Sequence, residues 1–196
     1  MARRVGVFGG AFDPPHVAHA ALARAAVDQL ALDELRILPT GQAWHKSRPL
    51  SEARHRLAMT RLAFADVPRA VVDDRELRRG GPTYTVDTLR ELQAEQPGAA
   101  LFLLLGEDQA AALTRWHDWE AVVALAVICV AGRAAAPGEL RPALPPQARS
   151  QPLVMPPIPA SATGIRALAR AGEPIAGLVT PPVARYIAHH HLYQPT

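Results

Sequence analysis

The stretch RVGVFGGAFDPPHVAH, residues 4–19, sets a short apolar run directly before two glycines and a pair of histidines. The apolar run predicts a buried strand over residues 4–8, and the glycines predict a turn whose backbone can approach a ligand closely. Asp13 followed by Pro14 predicts the cap and first position of a helix that continues to about residue 30. A strand, a glycine turn and a helix in this order indicate an α/β fold built on a parallel sheet.

The same alternation of apolar and amphipathic segments continues along the chain. Further strands are predicted over residues 35–38, 71–72, 101–105, 126–130 and 153–155. Helices are predicted from a Ser51 cap to about residue 65, over 85–95, from the end of Gly106-Glu107-Asp108 to about residue 125, and in two later segments divided near Gly172. With right-handed crossovers, this order predicts a doubly wound, Rossmann-like parallel sheet with helices on both faces.

The predicted fold is a single domain, residues 1–196, with one irregular, proline-rich excursion at 134–152. Ligands of doubly wound folds bind beyond the carboxyl ends of the strands. The chemistry is therefore expected in the segments that follow residues 8, 38, 105 and 130.

The composition narrows the class of protein. No apolar run approaches the roughly 20 residues that span a bilayer, and the basic start of the chain lacks the unbroken apolar segment of a signal peptide. Cys129 is the only cysteine, which excludes a disulfide within one chain. The net charge of +3 comes from scattered arginines, and aromatic residues make up only 5% of the chain. These features indicate a cytoplasmic protein and argue against a membrane or nucleic-acid partner.

The two histidines favour phosphate chemistry. His16 and His19 are three residues apart, so they share one face of the predicted helix, beside the glycine turn. Imidazole groups and exposed backbone N–H groups at a helix start are suited to donate hydrogen bonds to a polyphosphate. The turn is neither the G-x-G-x-x-G fingerprint of an NAD-binding oxidoreductase nor a Walker A loop.

The opening stretch resembles the (H/T)-x-G-H signature of the nucleotidyltransferase superfamily, in its long form G-G-(T/S)-F-D-P-x-H-x-G-H. The chain departs from that form at Ala11, where Ser or Thr is usual, and at Ala18, where Gly is usual. Residues 161–166, SATGIR, resemble the superfamily's second signature, I-S-(S/A)-T-x-I-R, with Ala160 where Ile is common. Both histidines are present despite the departures, so the resemblance implies an active nucleotidyltransferase.

Further segments narrow the resemblance to the bacterial nicotinate-nucleotide adenylyltransferases. They follow the order expected of that family along nearly the whole chain, and GPTYT at residues 81–85 is the most diagnostic. They are Pro39 with His45-Lys46, Arg75-Glu76-Leu77, residues 81–89, Gly106-Glu107-Asp108, Trp116 with Trp119, Arg133, Tyr186-Ile187 and Leu192-Tyr193.

The resemblance implies two neighbouring substrate sites. His16, His19 and Arg166 would be the catalytic residues, acting on the phosphates of ATP. The implied ATP-binding residues are Gly9, Gly10, Phe12, His16, His19, Gly106, Asp108, Ser161, Thr163 and Arg166. The implied nicotinate mononucleotide-binding residues are His45, Lys46, Tyr84, Thr85, Trp116 and Arg133. No protein metal ligands are expected, because Mg2+ would arrive with ATP.

The implied reaction is adenylyl transfer from ATP to nicotinate mononucleotide, which gives nicotinate adenine dinucleotide (deamido-NAD) and pyrophosphate in NAD biosynthesis. The nearest alternative keeps this chemistry with another acceptor: nicotinamide mononucleotide, phosphopantetheine or a cytidylyltransferase acceptor. Residues 83–85 and Trp116 favour the pyridine nucleotide, while Trp119 is expected to pack in the core. A nucleic-acid-binding module, suggested by the pI near 9.6, is the alternative of another class. The oligomeric state stays open, a homo-oligomer included.

Overall fold

The computed structural model describes residues 2–42, 49–132 and 144–194. Within these ranges, one sheet of parallel strands organises the chain. Its strands are β1 (Arg4–Gly10), β2 (Glu34–Pro39), β3 (Ala70–Val72), β4 (Ala100–Gly106), β5 (Ala126–Gly132) and β6 (Ser150–Val154). Each of the strands predicted from an apolar run is present.

The strands lie in the order β3-β2-β1-β4-β5-β6, which confirms the predicted doubly wound sheet. The chain moves outward from β1 through β2 to β3, crosses back to β4, and then moves outward to β6. β1 and β4 are hydrogen-bonded neighbours, with Val7 level with Leu103. The connections that leave these two strands run in opposite directions, which opens a crevice at their carboxyl ends.

Helices cover both faces of this sheet. They are α1 (Val17–Gln29), α2 (Ala53–Phe64), α3 (Arg75–Arg78), α4 (Thr85–Glu95), α5 (Glu107–Ala111), α6 (Trp119–Leu125), α7 (Ala162–Arg170) and α8 (Pro181–His189), with a short 3-10 helix at Leu113–Arg115. In the described part of the chain, none of them has the length and apolar character needed to cross a membrane.

Alternate residues of β4 belong to two separate hydrophobic cores. Phe102 and Leu104 pack in the core that contains residues of α1, α2 and α8. Leu101, Leu103 and Leu105 pack in the core that contains residues of α4 and α6. Burial on both faces explains why this strand is an unbroken apolar run in the sequence.

Two helix starts differ from the prediction. The N-cap position of α1 is occupied by His16, so the predicted Asp13 cap is wrong. The Asp13 carboxylate instead accepts hydrogen bonds from the Tyr193 hydroxyl and the Ser51 backbone N–H. Ser51 does not cap α2 either, because Glu52 holds its N-cap position. In both cases the residue expected to cap the helix lies outside it and is engaged in a contact with a residue distant in sequence.

Two other predicted boundaries are also wrong. The single helix predicted to follow Gly106-Glu107-Asp108 and continue to about residue 125 is divided into α5, which already begins at Glu107, the 3-10 helix and α6. The break before α6 occurs where Asp118 adopts φ 49°, a left-handed conformation that cannot continue a helix. The irregular excursion predicted at 134–152 ends earlier, since β6 begins at Ser150 and pairs with β5. Residues 134–143 of that excursion lie outside the described ranges.

A side chain covers the outer edge of β6. Gln29, the last residue of α1, donates from Nε2 to the Val154 carbonyl at 2.7 Å and accepts at Oε1 from the Val154 N–H at 3.0 Å. The amide group thus presents the same donor and acceptor that a neighbouring strand would offer. This pair of hydrogen bonds also holds the end of α1 against the sheet.

Candidate active site

A cleft of about 1300 Å³ opens at the carboxyl ends of β1, β2, β4 and β5. It lies where the connections after β1 and β4 diverge, which is the position that the topology predicts. The cleft brings together many of the residues expected to bind substrates. Those that line it are Gly9, Gly10, His19, Tyr84, Thr85, Gly106, Asp108 and Trp116. His45, Lys46 and Arg133, also expected to bind substrate, lie outside the described residues.

The two histidines form a stacked pair at the start of α1. Their ring centroids are 3.7 Å apart, with 23° between the ring planes. The Nδ1 atom of His19 accepts a hydrogen bond from the backbone N–H of His16 at 3.2 Å. An accepting Nδ1 carries no proton, so a neutral His19 ring has its proton on Nε2. His19, which lines the cleft, therefore presents an Nε2–H donor.

His16 lies behind His19, buried rather than among the residues that line the cleft. Burial lowers the pKa of His16 from 6.5 to about 4. Its Nδ1 atom is also buried without a hydrogen-bond partner within the described part of the chain. At neutral pH His16 is therefore an uncharged imidazole that can offer one N–H donor, and it supports the His19 ring by stacking.

Phe12 lies beneath the histidines and is not among the residues that line the cleft, so its expected place at the adenylate site stays a prediction. Its ring is only 2% exposed and makes edge contacts with Phe8, Phe64 and His19 at centroid distances of 5.6, 5.4 and 5.2 Å. A Cβ atom at Gly10 would lie 3.0 Å from this ring, closer than an ordinary contact, so a side chain there would press on the ring. Phe12 thus fixes the position of His19 from below.

The second signature meets the first through Arg166. Its Nη1 donates to the Asp13 carbonyl at 2.7 Å and its Nη2 to Thr163 Oγ1 at 3.1 Å. Ser161 is the N-cap of α7, with its hydroxyl accepting from the Gly164 N–H at 3.1 Å. These α7 residues do not line the cleft itself; they lie against the segment that carries the histidines.

The segment between the glycines and the histidines is held by three side chains whose supporting role was not predicted from the sequence: Arg56, Asp13 and Tyr193. Arg56 of α2 is 3% exposed and donates from Nη1 to the carbonyls of Ala11 and Thr40, at 3.1 and 2.7 Å. Asp13 is 1% exposed and accepts from Tyr193 Oη at 2.7 Å. No local pattern distinguishes Arg56, which looks in sequence like any arginine on a helix face.

Aromatic side chains line the other end of the cleft, namely those of Tyr84, Trp116 and His117. Tyr84 occupies the N-cap of α4, and its ring packs on the His117 ring with centroids 4.2 Å apart. Trp116 lines the cleft next to them, whereas Trp119 begins α6, packs against the core and does not line the cleft. His117 also lines the cleft, and the only sequence signal for it was its position beside Trp116.

Buried polar groups support the start of α4. Glu76 accepts a hydrogen bond from Thr88 Oγ1 at 2.8 Å, and both side chains are buried while lining the cleft. Burial raises the pKa of Glu76 to about 7, although the Thr88 hydroxyl and the charge of Arg79 act in the opposite direction. A Cβ atom at Gly41 would overlap with the Glu76 carbonyl oxygen, so only glycine permits this close approach. None of these residues had been singled out as a ligand contact.

Gly106 and Asp108 lie at the point where β4 enters α5, with Gly106 at the N-cap. Asp108 is exposed to the cleft, in the first turn of that helix. Across residues 2–42, 49–132 and 144–194, His, Cys, Asp and Glu side chains form no group of three that could hold a metal ion.

Comparison with known proteins places the chain in a family. The cytidylyltransferase-like family matches residues 7–168. A protein of Albidiferax ferrireducens named probable nicotinate-nucleotide adenylyltransferase is 60% identical over 195 residues, covering 98% of each chain. A protein of the same name from Chromobacterium violaceum is 47% identical, covering 99% of this chain and 100% of its own.

A solved structure shares the fold. It is that of Plasmodium falciparum nicotinic acid mononucleotide adenylyltransferase complexed with NaAD, with a TM-score of 0.80, 18% identity and 97% of both chains covered. The extended similarity to the two bacterial relatives, together with the cleft and its two signatures, shows that the chain belongs to the nicotinate-nucleotide adenylyltransferase family.

Proposed function

We propose that the protein transfers the adenylyl group of ATP to nicotinate mononucleotide, forming nicotinate adenine dinucleotide and releasing pyrophosphate in the cytoplasm. The observation that carries the proposal is one continuous cleft that joins the glycine turn and His19 to the aromatic start of α4. One end offers backbone amides and an imidazole to phosphate groups. The other end offers flat rings to a pyridine and a helix start to its carboxylate.

In the proposed reaction, a phosphate oxygen of nicotinate mononucleotide attacks the α-phosphorus of ATP. A P–O bond forms there, and the bond from the α-phosphorus to the oxygen that bridges to the β-phosphate breaks. Pyrophosphate leaves with the electron pair of that bond. The attacking phosphate is already an anion, so the reaction needs no strong general base. The protein contributes by positioning the two substrates and by offsetting the repulsion between their phosphate groups.

The histidine pair and Arg166 would supply these interactions. His19 presents its Nε2–H from a ring held by stacking and by the His16 backbone, so the donor is already in place before the charge develops. Arg166 adds a permanent positive charge beside the same segment. ATP would enter as its Mg2+ complex, in which the metal offsets part of the triphosphate charge.

The start of α4 is proposed to select the acceptor. Tyr84 at its N-cap makes no side-chain cap hydrogen bond in the described structure, and the N–H groups at the start of a helix favour an anion. A nicotinate carboxylate brings only acceptors to these donors. The carboxamide of nicotinamide would instead direct its own NH2 group at them, and a buried polar group without a partner costs roughly 1–3 kcal/mol.

The test is pyrophosphate release from MgATP with each acceptor in turn: nicotinate mononucleotide, nicotinamide mononucleotide and phosphopantetheine. We expect kcat/KM with nicotinate mononucleotide to exceed that with nicotinamide mononucleotide by more than about tenfold. CTP in place of ATP is the control for the nucleotide donor and should give little product. Equal or reversed values for the two pyridine nucleotides would contradict the acceptor assignment, and no release with any acceptor would contradict adenylyl transfer itself.

A further inference from the structure

Among the described residues, the carboxylate of Asp13 accepts hydrogen bonds from Tyr193 and Ser51, which lie far from it in sequence. Asp13 lies between the glycine turn and the histidines and is 1% exposed. Oδ1 accepts from the Tyr193 hydroxyl at 2.7 Å, and Oδ2 accepts from the Ser51 N–H at 3.1 Å. A buried carboxylate needs such donors, because burial without them is costly. Both oxygens therefore have a fixed direction.

The backbone around Asp13 is held as well. Arg56 donates to the Ala11 carbonyl and Arg166 donates to the Asp13 carbonyl. Arg56 also donates from Nε to the Ser51 carbonyl at 3.0 Å, so the residue that supplies one donor to Asp13 is fixed by the same guanidinium. The segment between the glycine turn and the histidines is thus fastened to the starts of α2 and α7 and to Tyr193.

Tyr193 reaches Asp13 from the turn after α8, and its backbone conformation is costly. Its φ is 68°, in the left-handed region that L-amino acids rarely adopt, and such a conformation persists only where surrounding contacts outweigh the strain. Burial and the neighbouring Asp13 carboxylate raise the pKa of the Tyr193 hydroxyl, which keeps the proton on the donor. This strained turn brings the Tyr193 hydroxyl to the Asp13 carboxylate, where the Ser51 side chain is a second hydrogen-bond partner of the hydroxyl.

We propose that Tyr193 is a positioning residue for phosphate binding: through the Asp13 carboxylate, its hydroxyl fixes the segment that joins Gly10 to His19. This inference rests on the proposed function, because it assigns the fixed segment a part in holding the phosphates of ATP. Donors that must be in place before the transition state forms lose effect when they shift by fractions of an ångström. Removing the hydroxyl therefore impairs the ATP end of the cleft and leaves the aromatic end intact.

The experiment compares Tyr193→Phe with Tyr186→Phe. Each change removes one hydroxyl that makes a side-chain hydrogen bond; the Tyr186 hydroxyl lies 3.0 Å from His55 Nδ1 and does not line the cleft. We expect Tyr193→Phe to lower kcat/KM for ATP by about tenfold or more, with KM for nicotinate mononucleotide changed by less than about twofold. Tyr186→Phe should leave both values within about twofold of wild type, even if its Tm falls as far as that of Tyr193→Phe.

Two results would overturn the proposal: unchanged kinetics in Tyr193→Phe, or equal kinetic losses in the two tyrosine variants. Asp13→Ala provides a second measurement of the same contact, because it removes both carboxylate acceptors, whereas an Asn amide oxygen would still accept from the Tyr193 hydroxyl. If Tyr193 acts through Asp13, adding Tyr193→Phe to Asp13→Ala lowers kcat/KM much less than it does in the wild type. Equal losses in both backgrounds, or normal kcat/KM for ATP in Asp13→Ala alone, would also overturn it.

Wild-type turnover separates this inference from the proposed function. An inactive wild type would contradict the proposed function. The role of Tyr193 is then tested without turnover, by measuring the affinity of each variant for a non-hydrolysable ATP analogue by calorimetry. In that measurement Tyr193→Phe should bind the analogue at least about fivefold more weakly than Tyr186→Phe. Equal affinities would overturn the role of Tyr193 whatever the acceptor.

Discussion

His19 is the side chain on which the phosphate end of the cleft depends most directly. Its ring is stacked on His16, supported from below by Phe12 and oriented by a backbone N–H, so three neighbours fix a single donor. None of these neighbours supplies a second imidazole to the cleft, since His16 is buried behind it. Among the described residues, none therefore replaces the His19 ring at this position.

Replacing His19 by Ala should lower kcat by roughly 100-fold or more, the usual scale for one preorganised donor to a developing charge. The fold should survive, because the ring borders the cleft and much of the local core lies below it. Steady-state pyrophosphate release measures kcat, and circular dichroism with a thermal scan checks the fold. His55→Ala is the control, since His55 contacts Tyr186 and lies outside the cleft lining. Near-normal turnover in the His19 variant would remove it from the catalytic residues.

At the scale of elements, α7 matters through one of its two arginines. Arg166 reaches across 153 positions of sequence to the Asp13 carbonyl, whereas Arg170 is exposed in the last turn of the helix. The two side chains lie on the same helix and carry the same charge, but only Arg166 donates to the segment that carries the histidines. They therefore form a matched pair for a test of what α7 does.

Arg166→Ala should lower kcat/KM for ATP by at least about tenfold, because it removes a charged donor that is worth roughly 1.5–3 kcal/mol where it is fixed. Arg170→Ala should change the same value by less than about twofold, as is usual for an exposed charge. Both variants are assayed at saturating nicotinate mononucleotide with ATP varied. Small and equal effects at the two positions would mean that α7 has only a structural role.

Local signals predicted some elements closely and others not at all. α4 spans Thr85–Glu95, as predicted, because its periodic leucines and its start are encoded within a dozen neighbouring residues. The start of α1 was not predictable in the same way, since the partners of Asp13 lie 38 and 180 positions away. The cleft was predictable from topology together with the signatures. Arg56 and Tyr193 were not recognised as its supports, because only tertiary contacts show what they hold.

At the scale of the whole molecule, two buried groups give the stability opposite dependences on pH. His16 has its pKa lowered to about 4, so its neutral form stabilises the fold above pH 6.5, and this contribution is lost as the pH falls towards 4. Glu76 has its pKa raised to about 7 from 4.5. Its contribution is complete below pH 4.5 and is lost as the pH rises through 7.

Glu76→Gln should therefore raise Tm at pH 8 by roughly 3 °C or more, with little change at pH 4.5. The amide keeps an acceptor for the Thr88 hydroxyl and avoids a buried charge above pH 7. Thermal unfolding at several pH values between 4.5 and 8 measures the effect. Glu120→Gln, an exposed position in the first turn of α6, is the control and should shift Tm equally little at each pH. A Tm gain that does not grow with pH would show that the Glu76 carboxylate is not destabilising.

The amide of Gln29 bears on how copies of this protein behave in a crowded solution. An exposed strand edge is a template on which other chains can add, and this is the first step of fibril growth. At β6 the main-chain donor and acceptor of Val154 are already occupied by the Gln29 side chain. An arriving strand would have to displace two hydrogen bonds before making its own at that position. The Gln29 side chain therefore hinders strand addition by another copy at the edge of the sheet farthest from β3, which favours solubility.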